Sequence, residues 1–164
     1  MAEVAMTFLW NKKEVKLSLF LELQEEKVGS KWVISRVNFG QYRELFNKDT
    51  AANKYFLHPM SHELDFMNLF RVFQDNREHV EDYTPRNYEP DQLGMFLYEV
   101  KKGNLQFRTI NNVKFHFFQV NNWYFELSRF NRSGNNTGWL ISNLVRADNR
   151  EKKILKHYIY NKNE

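Results

Sequence analysis

His116 is the strongest candidate in the sequence for a catalytic or ligand-binding side chain. It lies in 113–120, a segment rich in aromatic and β-branched residues, and Asn121 and Asn122 separate this segment from a second one, 123–130. Asparagine tolerates the positive φ angles that a two-residue hairpin turn requires. The pattern therefore predicts two paired strands, with His116 in the first of them.

The predicted turn fixes which side chains share a face with His116. Residues that lie opposite each other in a hairpin point to the same face, so His116, opposite Leu127, is expected on the more apolar side. Trp123 and Phe125 are predicted to share that side with it. The other side is predicted to hold Phe115, Phe117, Gln119, Tyr124, Glu126 and Ser128.

A histidine in such surroundings has two interpretations. In an open cavity it could serve as a general acid or base, with Tyr124, Glu126 or Arg129 as assistants, provided that a second polar side chain lies within about 3 Å. The alternative is a core or edge histidine that hydrogen-bonds the backbone through one ring nitrogen and has no catalytic role. The sequence favours the second interpretation.

We expect an aromatic-lined pocket on the sheet. Large apolar side chains with a few polar groups among them are the usual makeup of a ligand site. The predicted ligand-binding residues are His116, Trp123, Phe125, Arg129 and Trp139. The leading hypothesis is a non-catalytic binding or accessory domain whose partner is a small molecule or a protein, and the first alternative is a small acid–base enzyme that uses His116.

No cofactor or metal site is predicted. The chain has no cysteine, which excludes thiolate catalysis and zinc-cysteine sites, and it has no glycine-rich phosphate motif. His58, His62 and Glu63 are the nearest approach to a metal cluster. Pro59 and a predicted helix cap at Ser61 place His58 before the helix, so the two histidines do not project from one helical face as zinc would require.

Charge is unevenly distributed along the chain. Residues 1–100 contain 12 Lys and Arg against 16 Asp and Glu, and residues 101–164 contain 12 against 4. Such a basic segment can bind anions or nucleic acid through phosphate contacts and base stacking, here with Arg129, Arg132 and Arg146 near Tyr124, Phe130 and Trp139. We keep this as a second alternative, although nucleic acid is the less expected partner because no known recognition motif is present.

The first third predicts a three-stranded meander. Five aliphatic residues alternate with other side chains from Val15 to Leu23, the pattern of a half-buried strand. Strands are also predicted at 6–10 and 31–37, with a turn at 11–13 and a loop at 25–30. If strand 6–10 lay bare at a sheet edge, a homodimer would be an option.

The middle third changes to helical spacing. Phe66, Leu69, Phe70 and Phe73 predict a helix that Ser61 caps, followed by a polar connection over 74–89. A second helix is predicted to begin at Pro90 and to end at Gly103.

The last third returns to strands. After the hairpin, a polar loop over 131–138 leads to a strand at 139–145, and the tail from Asp148 is predicted as a final strand or a helical turn. The fold class is therefore α+β, a curved antiparallel sheet of about six strands (meander, two helices, meander) with helices on one face.

Two parts of the chain resemble a known superfamily. These are the strand pair Val15–Val37, which contains Lys31-Trp32-Val33-Ile34, and the terminal meander of Phe115–Phe117, Trp123–Leu127 and Gly138-Trp139-Leu140-Ile141. The residue pattern of these strands is similar to that of secreted bacterial members of the nuclear transport factor 2-like (cystatin-like) superfamily. The resemblance implies a bent sheet around a cone-shaped pocket that serves small-molecule binding, protein binding or acid–base catalysis. This chain differs from that superfamily in lacking the long N-terminal helices and in having two helices between its meanders.

Length and composition bound the remaining expectations. A chain of 164 residues with 42% hydrophobic residues predicts one folded domain, 1–164, which is a bacterial protein truncated at its N-terminus if the resemblance holds. No membrane span is predicted. The expected location is periplasmic or secreted if a leader has been removed, and cytoplasmic otherwise.

Overall fold

The structure is a computed structural model that describes residues 1–45, 55–85, 88–134 and 136–162. These residues cluster into two compact units, one formed by Met1–Gly40 with Gln92–Glu164 and the other by Gln41–Asp91. The predicted loops over 74–89 and 131–138 extend partly outside the described residues.

The first unit is built on one antiparallel sheet of six strands. The strands are β1 (Ala2–Trp10), β2 (Lys13–Glu26), β3 (Gly29–Asn38), β4 (Leu105–Phe117), β5 (Trp123–Phe130) and β6 (Gly138–Arg146). Their spatial order is β3-β2-β1-β4-β5-β6, so the two predicted meanders join through β1 and β4. The predicted α+β class and the six-stranded antiparallel sheet are confirmed.

Strand β1 lies in the middle of the sheet and not at its edge. It pairs with β2 on one side and with β4 on the other, and the edges are β3 and β6. The suggestion that 6–10 is a bare edge strand available for dimer formation is therefore wrong. Asn11 and Lys12 both have positive φ, and they form the tight turn between β1 and β2.

Strand register divides the side chains between two faces. On what we call the α4 face, Glu3 lies opposite Phe20 and Lys114, and His116 lies opposite Glu126. On what we call the aromatic face, the facing pairs are Phe8 and Phe107, Phe115 and Leu127, Phe117 and Phe125, and Arg129 and Trp139.

Each face of the sheet carries a helix. Helix α3 (Gln92–Lys102) packs on the aromatic face, where the Phe96 ring meets the Phe8 ring edge-on at 5.7 Å, and Gly103 ends it at φ +76° as predicted. Helix α4 (Asn149–Asn161) packs on the α4 face. The sequence predicted helices on one face and left the tail open between strand and helical turn, and α4 provides a second covered face.

Helix α4 covers the main apolar cluster of the α4 face. Phe20 and Tyr124 from the sheet are buried together with Ala147 and Ile159. Asp148 caps the helix, because its carboxylate accepts from the main-chain N–H of Glu151, and the Glu151 carboxylate accepts from the N–H of Asp148. This capping box is a local signal for a helix start, and the tail should have been predicted as a full helix from it.

The sheet bends toward the aromatic face. In a flat sheet, β3 and β4 would lie three strand spacings apart, about 14 Å. The rings of Trp32 on β3 and Phe115 on β4 are nevertheless only 6.3 Å apart, and Phe115 also lies 5.1 Å from Trp139 on β6. The aromatic face is therefore concave, which agrees with the predicted curvature.

The second unit differs from its prediction. It contains a 3₁₀ helix at Pro59–Leu64, helix α2 (Leu69–Phe73) and a 3₁₀ helix at Arg77–Tyr83, and helix α1 (Gly40–Leu45) begins at the boundary between the units. A single helix capped by Ser61 is wrong, because Asp65 and Phe66 adopt φ of +48° and +54° and interrupt it. The N-cap is His58, whose Nδ1 accepts from the N–H of Met60 at 3.2 Å.

Among the described residues, no helix is both long enough and apolar enough to cross a lipid bilayer.

Candidate functional site

The predicted register around His116 is wrong by one residue. His116 lies opposite Glu126 and not Leu127, and Phe117 takes the predicted place of Phe118 opposite Phe125. The cause is the turn: residues 118–122 all lie outside the two strands, and Asn122 has φ +58°. A slip of one residue exchanges the faces of a strand, so His116 lies on the α4 face.

The five predicted ligand-binding residues are therefore split between the two faces. Register places Trp123, Phe125, Arg129 and Trp139 on the aromatic face, and His116 alone on the other. The predicted grouping of Tyr124 and Glu126 with Phe115 and Phe117 is corrected in the same way, since both share the face of His116.

The sheet opens into a fork between β4 and β5. Strand β4 pairs with β1 along almost its whole length, but it pairs with β5 only from Lys114 to Phe117. Beyond this point β5 continues to Phe130, still paired with β6. Register shifts in the pairing of β4 with β1 leave Arg108 and Asn111 as extra residues, and such bulges bend a strand. The two halves of the sheet therefore diverge at Lys114.

The space within the fork is a cavity of about 650 Å³. One wall comes from β4, and the other comes from the end of β5, the loop after it and the start of β6. We call it the fork cavity, and its described lining residues are Ile110, Asn111, Asn112, Val113, Arg129, Phe130, Asn131, Thr137, Gly138 and Trp139. It contains two of the five predicted ligand-binding residues, Arg129 and Trp139.

Arg129 is the charged residue among the described lining residues of the fork cavity. It lies next to Ser128, the β5 residue that pairs with Lys114 where the fork closes. Its guanidinium makes no ion pair or hydrogen bond with another described residue, and its side chain is exposed. An arginine in this state can make bidentate hydrogen bonds to a carboxylate or a similar anion.

Aromatic rings border the same cavity. The Trp139 side chain is 47% exposed, and its ring continues the series formed by Phe115 and Trp32 across the concave face. At the end of β5, Phe130 lines the cavity and the Arg132 guanidinium lies over its ring, 4.3 Å from the centroid. The cavity thus combines the exposed Trp139 ring and the half-buried Phe130 ring with one cationic side chain, Arg129.

Trp123 and Phe125 lie on the aromatic face but outside the lining of the fork cavity. The Phe125 ring stacks on Phe117 at 4.5 Å, with an angle of 9° between the ring planes. Trp123 begins β5 and lies opposite Arg146, at the opposite end of the β5–β6 ladder from Trp139. Arg146 is therefore far along the ladder from Arg129, and the arginines of the basic segment do not form one continuous row.

His116 is sealed within the α4 face. It is 2% exposed, and its ring lies between two partners, with Nε2 2.9 Å from Glu3 Oε2 and Nδ1 2.9 Å from the Tyr124 hydroxyl. Burial and the nearby carboxylates of Glu126 and Glu3 raise the pKa of Tyr124. His116 has the polar neighbours that catalysis requires but not the open cavity, so a substrate cannot reach it in this structure.

A second polar group adjoins this histidine. The Glu126 carboxylate accepts from Ser142 Oγ at 2.7 Å and from Ser128 Oγ at 3.2 Å, and Lys114 Nζ lies 3.7 Å away. Burial raises the pKa of Glu126, but these hydrogen bonds and the charges of Lys114 and His116 outweigh it and hold the pKa below its ordinary value. Glu126 is thus kept ionised by its neighbours.

The structure brings no metal ligands together in the part of the chain that it describes. No group of three or more His, Asp or Glu side chains is placed to hold an ion. The His58 ring caps its own 3₁₀ helix, and His62 Nδ1 lies 2.8 Å from the carbonyl oxygen of Pro59.

Two parts of this arrangement were missed at the level of sequence. Glu3 lies 113 positions from its partner His116, and no local pattern links them. The β4 wall of the fork cavity was missed because the strand was predicted to begin at Val113, whereas it begins at Leu105. The consecutive asparagines 111 and 112, unusual within a strand, were the available signal for a bulge there.

No family model, curated protein or solved structure matches this chain.

Proposed function

We propose that this protein is a non-catalytic binding domain that holds its ligand in the fork cavity. The observation that carries the proposal is the divergence of β4 and β5, which opens about 650 Å³ between them with Arg129 and Trp139 on its wall. Ligand sites in proteins usually measure about 300–1,000 Å³ and combine apolar walls with a few polar groups. The fork cavity fits this description in volume, and its described lining has five polar and four apolar side chains.

The backbone of the fork favours binding as well. From Leu105 to Val113, β4 is paired with β1 but has no β5 partner, so one side of this strand lacks a ladder of main-chain hydrogen bonds. Unpaired main-chain N–H and C=O groups bind water or a ligand. The Asn112 side chain accepts from the Val113 N–H, and the Thr109 hydroxyl donates to the Ile110 carbonyl, so the other main-chain groups of the β4 wall are the ones that a ligand can bind.

The distribution of titratable groups argues against catalysis in this cavity. The described lining residues include no His, Asp, Glu, Lys or Tyr, the side chains that usually transfer protons in catalysis. The histidine and carboxylates that could transfer protons lie on the α4 face in contact with one another. This separation supports binding over acid–base chemistry.

We also retain the nuclear transport factor 2-like superfamily as a proposal. The concave aromatic face, where Trp32 and Phe115 approach across three strand spacings, is the kind of bent sheet that the resemblance implies.

A matched pair of tryptophan variants tests the proposed function. Trp139 and Trp123 are both exposed and both lie on the aromatic face, but only Trp139 lines the fork cavity. A fragment library screened by ligand-observed NMR should yield hits that Trp139→Ala weakens by about tenfold or more and that Trp123→Ala leaves unchanged, because burying an aromatic ring against Trp139 contributes apolar contact area. Hits that respond equally to both variants, or no hits at all, would refute the proposal.

A further inference from the structure

We infer that the ligand of the fork cavity is a ring-bearing organic anion, a flat ring system with a carboxylate or sulfonate group. This inference rests on the proposed function and adds the chemical class of the ligand to it. The charge of the cavity, the shape of its polar groups and the nature of its apolar wall favour this class of ligand.

Charge comes first. Three other basic side chains of the first unit have an acidic partner: Lys31 contacts Glu26 at 2.7 Å, Lys114 lies 3.7 Å from Glu126, and Lys156 contacts Glu22 at 2.6 Å. Arg129 has no such partner among the described residues, and no carboxylate is among the described lining residues of the cavity. A bound anion would supply the missing charge, whereas a bound cation would meet only repulsion.

The position of the guanidinium restricts where the anionic group can lie. Arg129 is next to the point where the fork closes, since Ser128 pairs with Lys114. The anionic group of a ligand therefore belongs at this closed end, and the rest of the molecule extends along the cavity between β4 and β6. A guanidinium donates two parallel N–H bonds, a geometry that matches the two oxygens of a carboxylate or sulfonate.

The wall along which the molecule extends favours flat rings. Trp139 presents an exposed indole, and Phe130 presents a ring whose neighbour is the Arg132 guanidinium at 4.3 Å from the centroid. Aromatic rings prefer offset stacked or edge-on contacts with other rings, and these contacts contribute beyond simple burial of area. Ile110 and Val113 form the apolar wall opposite them.

Two fluorescent probes separate the charge from the ring system. Anilinonaphthalene sulfonate carries a sulfonate on the same fused rings that phenylnaphthylamine has without charge. The unmodified protein should bind the sulfonate at least about tenfold more tightly than the neutral probe, because tenfold corresponds to about 1.4 kcal/mol, roughly the contribution of one hydrogen bond to a charged group. Arg129→Gln should abolish that preference, and Arg146→Gln, at the far end of the ladder, should retain it.

The outcomes distinguish the inference from the proposed function. If both probes bind equally and Arg129→Gln changes neither, the anionic class is overturned; the proposed function survives if Trp139→Ala still weakens both probes. If neither probe binds, the inference is overturned, and the fragment screen decides the proposed function separately. Each variant must first show a cooperative urea transition and the near-ultraviolet circular dichroism of a folded protein, because this sulfonate also binds loosely folded states.

Discussion

The two faces of the sheet use their polar groups in opposite ways. On the α4 face, His116 is buried between Glu3 and Tyr124, and each of these three side chains has a partner on a neighbouring strand. On the aromatic face, Arg129 is exposed and unpaired among the described residues, and Trp139 lies opposite it. Saturated polar groups stabilise a fold, whereas unsaturated ones are available to a ligand. We therefore propose that the α4 face serves stability and that the aromatic face serves binding.

The hydrogen-bonded side chains around His116 connect three strands of the sheet. Glu3, His116 and Tyr124 belong to β1, β4 and β5, which are adjacent in the sheet. The β4–β5 pairing is short, ending at Lys114, so side-chain bonds between these strands add to a limited number of main-chain bonds. We therefore expect the histidine to contribute to holding the two halves of the sheet together.

Replacing His116 is expected to have the largest effect on stability. If it also altered binding at the fork cavity, the proposed division of roles between the two faces would be wrong. His116→Ala leaves the Glu3 carboxylate and the Tyr124 hydroxyl buried without their shared partner, which should lower the free energy of unfolding by about 3–5 kcal/mol. Urea unfolding measures this loss. Probe binding at the fork cavity should be unchanged in the folded fraction.

The exposed His157 on α4 provides the matched control for that variant. His157→Ala should change the free energy of unfolding by no more than about 0.5 kcal/mol, as is usual for surface positions. Similar losses for the two histidines would show that the buried network does not stabilise the sheet. If His116→Ala prevents folding, Tyr124→Phe, which removes one hydrogen bond, should still cost about 1 kcal/mol.

A smaller effect, which depends on pH, tests whether the ion pair of Glu22 on the α4 face stabilises the fold. Glu22 on β2 accepts from Lys156 and Tyr160 of α4, and the hydrogen bond from Lys156 is the largest reason that the pKa of Glu22 is lowered. A carboxyl with a lowered folded-state pKa stabilises the fold above its unfolded-state pKa, and this contribution is lost as pH falls through the folded-state value.

Glu22→Gln should therefore destabilise the protein at pH 7 by only about 0.2–1 kcal/mol, because the ion pair is partly exposed and solvent screens it. At about pH 3 the difference from the unmodified protein should shrink. Urea unfolding at the two pH values measures both quantities, and Glu25→Gln, an exposed neighbour on the same strand, is the control. A difference that stays constant with pH would contradict the role of the charge.

Much of the fold could be predicted from the sequence because its signals are local. Alternation from Val15 to Leu23 predicted β2, and Gly103 predicted where α3 ends. The helix predicted from Ser61 failed because Asp65 and Phe66 adopt left-handed backbone conformations that the apolar spacing does not reveal.

The site was only partly predictable because it depends on register and on divergence of strands. Arg129 and Trp139 were predicted as ligand-binding residues of an aromatic pocket, and both line the fork cavity. His116 was assigned to the wrong face because one additional residue in a turn reverses that assignment. The fork depends on where the pairing of β4 with β5 ends, which no local pattern near Lys114 specifies.

Methyl NMR during a titration with anilinonaphthalene sulfonate tests most directly that binding belongs to the aromatic face. We predict that the methyl signals of Ile110, Val113 and Thr137 in the fork cavity shift in proportion to the bound fraction, and that the methyl signals of Leu155 and Ile159 in α4 do not shift. Shifts confined to the α4 methyl groups, with the three cavity residues unmoved, would contradict it.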